Sequence, residues 1–354
     1  MLDTLAIDIQ PTTASRLTTL DPANMEFGKL FADHMLSVDF TGGEWQQPRI
    51  VPYGPLSISP ANSALHYGQA IFEGMKAYRQ ADGSVALFRP LDNWHRLNAS
   101  AERMAMPTIP EDIFMQGLRE LIKLDAAWVP TNAGSSLYIR PYMFATDGAL
   151  GVRPSETYHF GIITCPVSAF FTKPVRVRFE QKYVRAAPGG AGYAKNAGNY
   201  GAAMLPSKLA QQEGYHQLIW TDASEHQYVE ESGAMNVMFV IDGKVTTPEL
   251  STSILDGITR RSVLELARDW GVPVEERRVA SREVIEALTN GRLTEAFGVG
   301  TAATIASIAT IGYEGQDYDL PALSDTSFSR KVGAALDAIR TGQAADPHGW
   351  MVAV

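Results

Sequence analysis

The chain is poor in cysteine. Cys165 is the single one among 354 residues, so no disulfide can form within the chain and no zinc cluster can be built on cysteine. Charge is sparse and acidic: 19% of residues are Asp, Glu, Lys or Arg, with a net charge of −9. Proteins that grip phosphate backbones need dense Lys and Arg, which argues against a general nucleic-acid binder. Long hydrophobic runs are lacking too. AFGVGTAATIASIATIGY (296–313) is uncharged, but Gly, Thr and Ser dilute it below the Leu/Ile/Phe density of a membrane span. It reads as a buried strand, a tight glycine turn and a further buried segment. The opening MLDTLAIDIQPTTASRL has no basic region ahead of an apolar run, unlike a secretory leader. The expectation is a soluble cytoplasmic protein, with no nucleic acid, membrane or metal partner.

What is present is an ordinary globular composition, 45% hydrophobic, in a chain long enough for one or two domains with a large core. The coarse pattern mixes α and β. Residues 70–79 and 84–89 flank an Ala-Asp-Gly turn and read as a hairpin. Residues 91–106 read as a helix with Asp92 as a candidate cap and Pro107 as a stop; 111–128 read as a second, amphipathic helix. SLYIRPYMFAT (136–146) and YHFGIITCPVSAFF (158–171) read as strands, the second apolar enough to be central. PVRVRFEQKYVRA (174–186), HQLIWTD (216–222) and AMNVMFVIDGKVTT (234–247) read as further strands, the last bent at Asp242-Gly243. GITRRSVLELARDWG reads as a helix ending at Gly271, SREVIEAL as a short helix capped by Ser281, and 325–341 as the final helix. The expected organisation is a smaller N-terminal α/β domain (1–167), a linker (168–178) and a larger C-terminal domain (179–354).

Between Ala186 and Ser207 one charged side chain stands among glycines, alanines and asparagines: Lys195. It could be a solvated loop lysine. It is not a P-loop lysine, since GxxxxGK[ST] is absent. It could be a Schiff-base lysine, which needs an amine held near neutral by burial and small neighbours that let a flat ring approach. Pyridoxal phosphate chemistry would further require an acid for the ring nitrogen and anion donors for the phosphate. Glu231 in VEESGAMN, the helix start in LDGITRRS, the GVGTA turn and an arginine in the 91–106 helix are candidates.

HYGQAIFEGMKAYR (66–79), LFRPLDNWHRLNASAERM (87–104), LYIRPYMFATDGALGV (137–152), KNAGNYGA (195–202), EESGAMN (230–236), LDGITRRSVLELA (255–267) and EAFGVGTAA (295–303) together resemble the branched-chain amino acid aminotransferases. These are class IV, fold-type IV enzymes dependent on pyridoxal 5'-phosphate. Seven motifs occur in order, and the resemblance runs from about Phe27 to the final helix.

The resemblance implies an α/β (α+β) fold whose larger domain is a pseudo-barrel. It implies that Lys195 is the catalytic lysine, binding the cofactor aldehyde and then moving a proton. Glu231 would pair with the ring nitrogen and Tyr200 with the ring hydroxyl. Arg96 would fork onto the phosphate, joined by Leu255, Gly257, Ile258 and Thr259 at the helix start and by the Thr301 hydroxyl. Phe27, Tyr67, Phe72 and Phe170 would wall the substrate side chain, with Leu150 and Val152 reaching in from the partner of a homodimer. Tyr138, Arg140 and Tyr67 would clamp the second carboxylate of glutamate. Thr301 and Ala302 would offer N–H groups to the substrate carboxylate. The implied reaction exchanges the amino groups of L-leucine, L-isoleucine and L-valine with 2-oxoglutarate, giving 2-oxo acids and L-glutamate.

For each residue a plainer role stands beside the implied one. The aromatics could be core packing, Arg96 a helix-surface arginine, and Glu230, beside Glu231, a solvated turn acid. The sequence also departs from the family. Ala303 and Ala306 stand where some members carry a redox CxxC, Phe170 where some carry tyrosine, and Ala234 where some carry threonine. D-amino acid aminotransferase, aminodeoxychorismate lyase and a non-catalytic cofactor-binding protein remain as alternatives on the same fold.

Overall fold

The computed structural model describes residues 5–168 and 173–354. The chain divides into two compact units. One comprises Met1–Phe170, Ala194–Ala197 and Asp337–Val354; the other comprises Phe171–Tyr193 and Gly198–Leu336.

The first unit is built on a ten-stranded sheet. Tyr158–Val167 lies between His34–Thr41 and Ser136–Ala145, antiparallel to both. It is the central strand its apolar run implied, and it ends at Val167; residues 169–171 of the expected strand lie outside the described residues. On Ser136–Ala145 the period of two separates two faces. Leu137, Ile139, Met143 and Ala145 are fully buried in the core, while Tyr138, Arg140, Tyr142 and Phe144 occupy the other face. Helix Glu111–Leu124 packs Phe114, Leu118, Leu121 and Ile122 into that core at helical spacing. It comes close because Gly117 has no side chain: a Cβ there would meet Leu36 Cδ2 at 2.8 Å.

Ala70–Phe72 and Met75–Arg79 both pair with Ser136–Ala145. The ladder breaks between them at Pro141, which accepts from the Glu73 N–H at 2.8 Å but has no N–H to return. This break sets Glu73-Gly74 apart from the regular strand. At the far edge Met351–Ala353 pairs with Val85–Phe88, so the C-terminal segment completes the first sheet. Its pattern is too short to be read from sequence.

The second unit is built on a nine-stranded sheet. Val175–Phe179, which begins inside the stretch expected as linker, runs parallel to both Gln217–Thr221 and Thr304–Tyr313. Asn236–Ile241 and Lys244–Thr247 form a hairpin about Asp242-Gly243, where the sequence reading put a bend. Segment 296–313 resolves into Leu293–Gly300 and Thr304–Tyr313, an antiparallel pair. Among the described residues no helix is long and apolar enough to cross a membrane.

Helix boundaries correct two expected caps. The helix expected over 91–106 spans Pro90–Arg103, with Pro at its first position and Arg89 as the N-cap residue at φ 50°. Asp92 therefore lies inside the first turn and accepts from Arg89 Nε at 2.6 Å. Helix Ser281–Thr289 has Ala280 as its N-cap, and the Ser281 hydroxyl donates instead to the Gln227 carbonyl. Helix Ile258–Asp269 ends as expected. Gly271 sits at φ 68°, its N–H donates to Arg268 O, and that of Val272 donates to Ala267 O, the Schellman pattern. The sequence reading missed Ala197–Gln212, a helix with Pro206 inside it.

Candidate active site

The candidate residues fall in both units. In the first, Lys195 is held by its main chain. Its N–H donates to Ser100 Oγ at 2.9 Å, its carbonyl accepts from the Phe72 N–H at 3.0 Å, and Asn196 bridges to Ile71. Its Nζ lies 4.8 Å from the centroid of the Phe72 ring. The strand Ala70–Phe72 and the helix Pro90–Arg103 thus fix the lysine's backbone and leave its amine to be placed by χ rotations.

Arg96 is buried, not a surface arginine. Its Nε donates to Glu73 Oε1 at 2.7 Å and its Nη2 to Oε2 at 2.8 Å. Glu73 has no solvent exposure and also accepts from Asn93 Nδ2 at 2.7 Å and from the Gly74 N–H at 3.0 Å. Burial alone would raise its pKa. The charge and hydrogen bonds of Arg96 outweigh that, helped by the Lys195 charge and the Asn93 amide, and hold the carboxyl below its ordinary range. The guanidinium edge carrying Nε and Nη2 is committed to Glu73.

On the same face of Ser136–Ala145, Arg140 Nη2 donates to Tyr138 Oη at 3.0 Å. The Arg140 guanidinium sits 4.5 Å from the Phe72 ring centroid, and Phe27 meets Tyr138 edge-on at 4.8 Å. Phe27, Phe72, Tyr138, Arg140 and Lys195 are therefore one cluster. The Tyr67 hydroxyl accepts from the Gly151 N–H at 3.2 Å, between Leu150 and Val152 in sequence. Leu150 and Val152 are 64% and 89% exposed. Phe170 lies outside the described residues.

In the second unit Glu231 is buried on strand Val229–Ser232. Its Oε1 accepts from the Leu255 N–H at 2.6 Å, and its Oε2 lies 3.2 Å from Nε of the buried Arg185. Glu230 is buried as well, which corrects the reading of a solvated turn acid. Burial pushes its pKa up to about 7 against the lowering effects of Arg185 and Ser253.

Two residues after Leu255 comes Gly257, where a Cβ would collide with Asn236 Oδ1. Asn236 Nδ2 in turn holds the Leu255 carbonyl at 2.8 Å. Helix Ile258–Asp269 begins there with no capping side chain and no acid in its first turn, and Ile258 and Thr259 are buried. Free N–H groups and the positive end of a helix dipole make this an anion seat. Tyr200 is half-buried on helix Ala197–Gln212. Thr301 and Ala302 form the turn between Leu293–Gly300 and Thr304–Tyr313, closed by Thr304 at φ 58°.

Sequence reasoning missed Glu73, Ser100, Arg185, Asn236 and Ser253. Glu73 had a signal, a lone acid between Phe72 and Gly74 in the break between two short strands. Arg185 had no distinguishing signal, with Glu180 and Lys182 as charged neighbours.

Each unit holds donors suited to a phosphorylated pyridine aldehyde: in the first, an amine on a fixed backbone and a buried arginine; in the second, a buried carboxylate on an ion pair and an uncapped helix start with no acid in its first turn. The sequence-family model described as Amino-transferase class IV matches residues 70–311. The Branched-chain-amino-acid transaminase 1 of Bacillus subtilis (strain 168) is 45% identical over 94% of this chain and 95% of its own length. A solved branched-chain amino acid aminotransferase from Escherichia coli superposes with a TM-score of 0.72 at 25% identity, covering 90% of this chain and 98% of that one. The T.th. branched-chain amino acid aminotransferase, solved complexed with N-(5'-phosphopyridoxyl)-L-glutamate, matches at the same score and identity over 89% of this chain and 98% of its own.

Proposed function

The chain belongs to the class IV aminotransferases and, within them, to the branched-chain amino acid transaminases, and on that footing we propose a role for each residue of its site. The enzyme transaminates branched-chain amino acids, has the mixed α/β fold-type IV architecture, and depends on pyridoxal 5'-phosphate. Bound, that cofactor supplies an aldehyde for amines and a pyridine ring that withdraws electrons from the substrate Cα.

Lys195 is the catalytic base. The observation that carries this is its tether: both its N–H and its carbonyl are bonded, so Nζ can leave and return without disturbing the loop. With the cofactor bound, Nζ would take the proton from the substrate Cα and return it on the other side of the exchange. Glu231, paired with Arg185 and the Leu255 N–H, would hold a proton on the ring nitrogen. Arg96 would meet the phosphate, joined by the N–H groups of Ile258 and Thr259, given access by Gly257, and by the Thr301 hydroxyl. Tyr200 holds the ring hydroxyl.

Phe27, Tyr67, Phe72 and Phe170 wall the side chains of L-leucine, L-isoleucine and L-valine. The second substrate, 2-oxoglutarate, needs a polar clamp for its distal carboxylate, and the Tyr138–Arg140 pair supplies one. Thr301 and Ala302 hold the substrate α-carboxylate. The exposed Leu150 and Val152 gain apolar cover from a second copy, so the working unit is a homodimer, in the cytoplasm.

The test is the visible absorbance of the purified protein with cofactor. A band that bleaches with L-leucine and returns with 2-oxoglutarate is the expected result. A band that ignores L-leucine and bleaches with D-alanine would move the enzyme to D-amino acid exchange. No band with excess pyridoxal phosphate would overturn the site.

A further inference from the structure

We propose that Arg185 is a positioning residue for the reaction, one that fixes Glu231 against the ring nitrogen and anchors the root of the lysine loop at the same time. The inference rests on the cofactor site proposed above. Arg185 is buried, and its two ends do different things. Nε lies 3.2 Å from Glu231 Oε2. Nη2 donates to the carbonyl oxygens of Gly192, at 3.2 Å, and of Ser253. Gly192 lies three residues before Lys195, and Ser253 two residues before Leu255, whose N–H holds the other oxygen of Glu231.

Gly192 and Ser253 are pressed together. A Cβ on Gly192 would meet the Ser253 Cα and O at 2.7 Å and the Ala186 Cβ at 2.5 Å. The Gly189 N–H donates to Thr252 Oγ1 at 2.9 Å, and the Tyr193 N–H to the Thr252 carbonyl at 3.1 Å. One guanidinium therefore spans the glycine loop, the 252–255 segment and the acid.

The arrangement also sorts two adjacent acids. Glu230 and Glu231 follow one another on a strand buried on both faces. Glu231 accepts a hydrogen bond from the Leu255 N–H and has the Arg185 guanidinium as an ion-pair partner at 3.2 Å. Among the described residues Glu230 Oε2 is buried without a hydrogen-bond partner, and Ser253 serves that carboxyl instead. A buried carboxylate oxygen left without a partner is costly to charge, so Glu231, with both oxygens engaged, is the better placed of the two to be ionised. That Glu230 is pushed up to about 7 while Arg185 pulls against the rise agrees with this sorting. Removing Arg185 takes the sorting away.

The experiment compares the parent with Arg185→Gln, Arg185→Lys, Glu231→Gln and the double variant Arg185→Gln/Glu231→Gln. Each is stripped of cofactor and titrated with pyridoxal phosphate by protein fluorescence, and each is assayed with L-leucine. Arg185→Gln is expected to raise the cofactor Kd and to lower kcat, each about tenfold or more, with the KM for L-leucine moving less than about twofold. Arg185→Lys keeps the charge but not the fork, and falls between, with Kd raised at least about threefold. In the Glu231→Gln background the Arg185 substitution adds less than about threefold, because the two act as a unit. An Arg185→Gln protein within twofold of the parent in Kd and kcat overturns the inference, as does a double variant with the full product of both losses. If Arg185→Gln does not fold, Arg185→Lys decides, and a Kd within twofold of the parent overturns the inference. A parent that binds no cofactor defeats the proposed site instead, and that measurement comes first.

Discussion

Gly74 makes the place that the Tyr138 hydroxyl occupies: a Cβ on residue 74 would collide with Tyr138 Oη. Tyr138 Oη in turn accepts from Arg140 Nη2. Gly74→Ala should push the phenol aside and loosen the clamp for a second carboxylate while leaving the apolar wall. The KM for 2-oxoglutarate is expected to rise about tenfold and that for L-leucine less than about threefold. Steady-state kinetics with each substrate varied will check it, and equal changes in both would remove Tyr138 from the clamp.

Glu73 and Arg96 are a buried, forked ion pair. Breaking such a pair from one side typically costs about 3–5 kcal/mol, since the remaining charge is stranded. Glu73→Gln keeps the shape and strands Arg96, so urea unfolding of the cofactor-free protein should show a loss of that order. A loss under about 1 kcal/mol would mean that Arg96 finds another partner or water.

Lys195→Ala separates chemistry from architecture. The loop is held by the main chain of residue 195, which alanine retains. Turnover with L-leucine and 2-oxoglutarate should vanish, while stability without cofactor changes by less than about 1 kcal/mol. Multiple turnovers by this variant would remove Lys195 from its role.

Glu230 predicts a pH dependence. Its folded pKa, about 7, lies above the ordinary 4.5, so the folded state binds the extra proton between these values. Its contribution to stability is therefore complete below about pH 4.5 and is lost as pH rises through 7. Glu230→Gln removes that proton. Between pH 4.5 and 7 the stability of the parent should fall relative to the variant by up to about 1.4 kcal/mol per pH unit. Parallel curves from urea titrations across this range would place the Glu230 pKa back in the normal range.

Part of the candidate site was legible because Lys195 is the one charge in its stretch. Lys195 is flanked by small residues, and Glu231 and Arg96 lie in segments whose order is distinctive. The central strand Tyr158–Val167 was legible from its unbroken apolar run. What the sequence hid depends on tertiary burial. Arg96 and Glu73 are far apart in sequence, and nothing local says that they meet. Glu230 and Glu231 are identical neighbours, distinguished only by which of them reaches Arg185 and the Leu255 N–H. Helix Ala197–Gln212 was hidden for a local reason: two glycines and Pro206 are breakers that its packing overrides.

The first unit is stitched from three separate stretches of chain, and this bears on how the protein is made. Synthesis delivers the N-terminal strands first, but the loop that seats Lys195 on Ser100 comes later, and the edge strand Met351–Ala353 that covers Val85–Phe88 later still. Until then Val85–Phe88 presents an open edge able to pair with another chain. A fragment cut after residue 168 would lack both the lysine and that cover. That edge stays open until Met351–Ala353 is made, and co-expressed halves should recover far less active protein than the continuous chain.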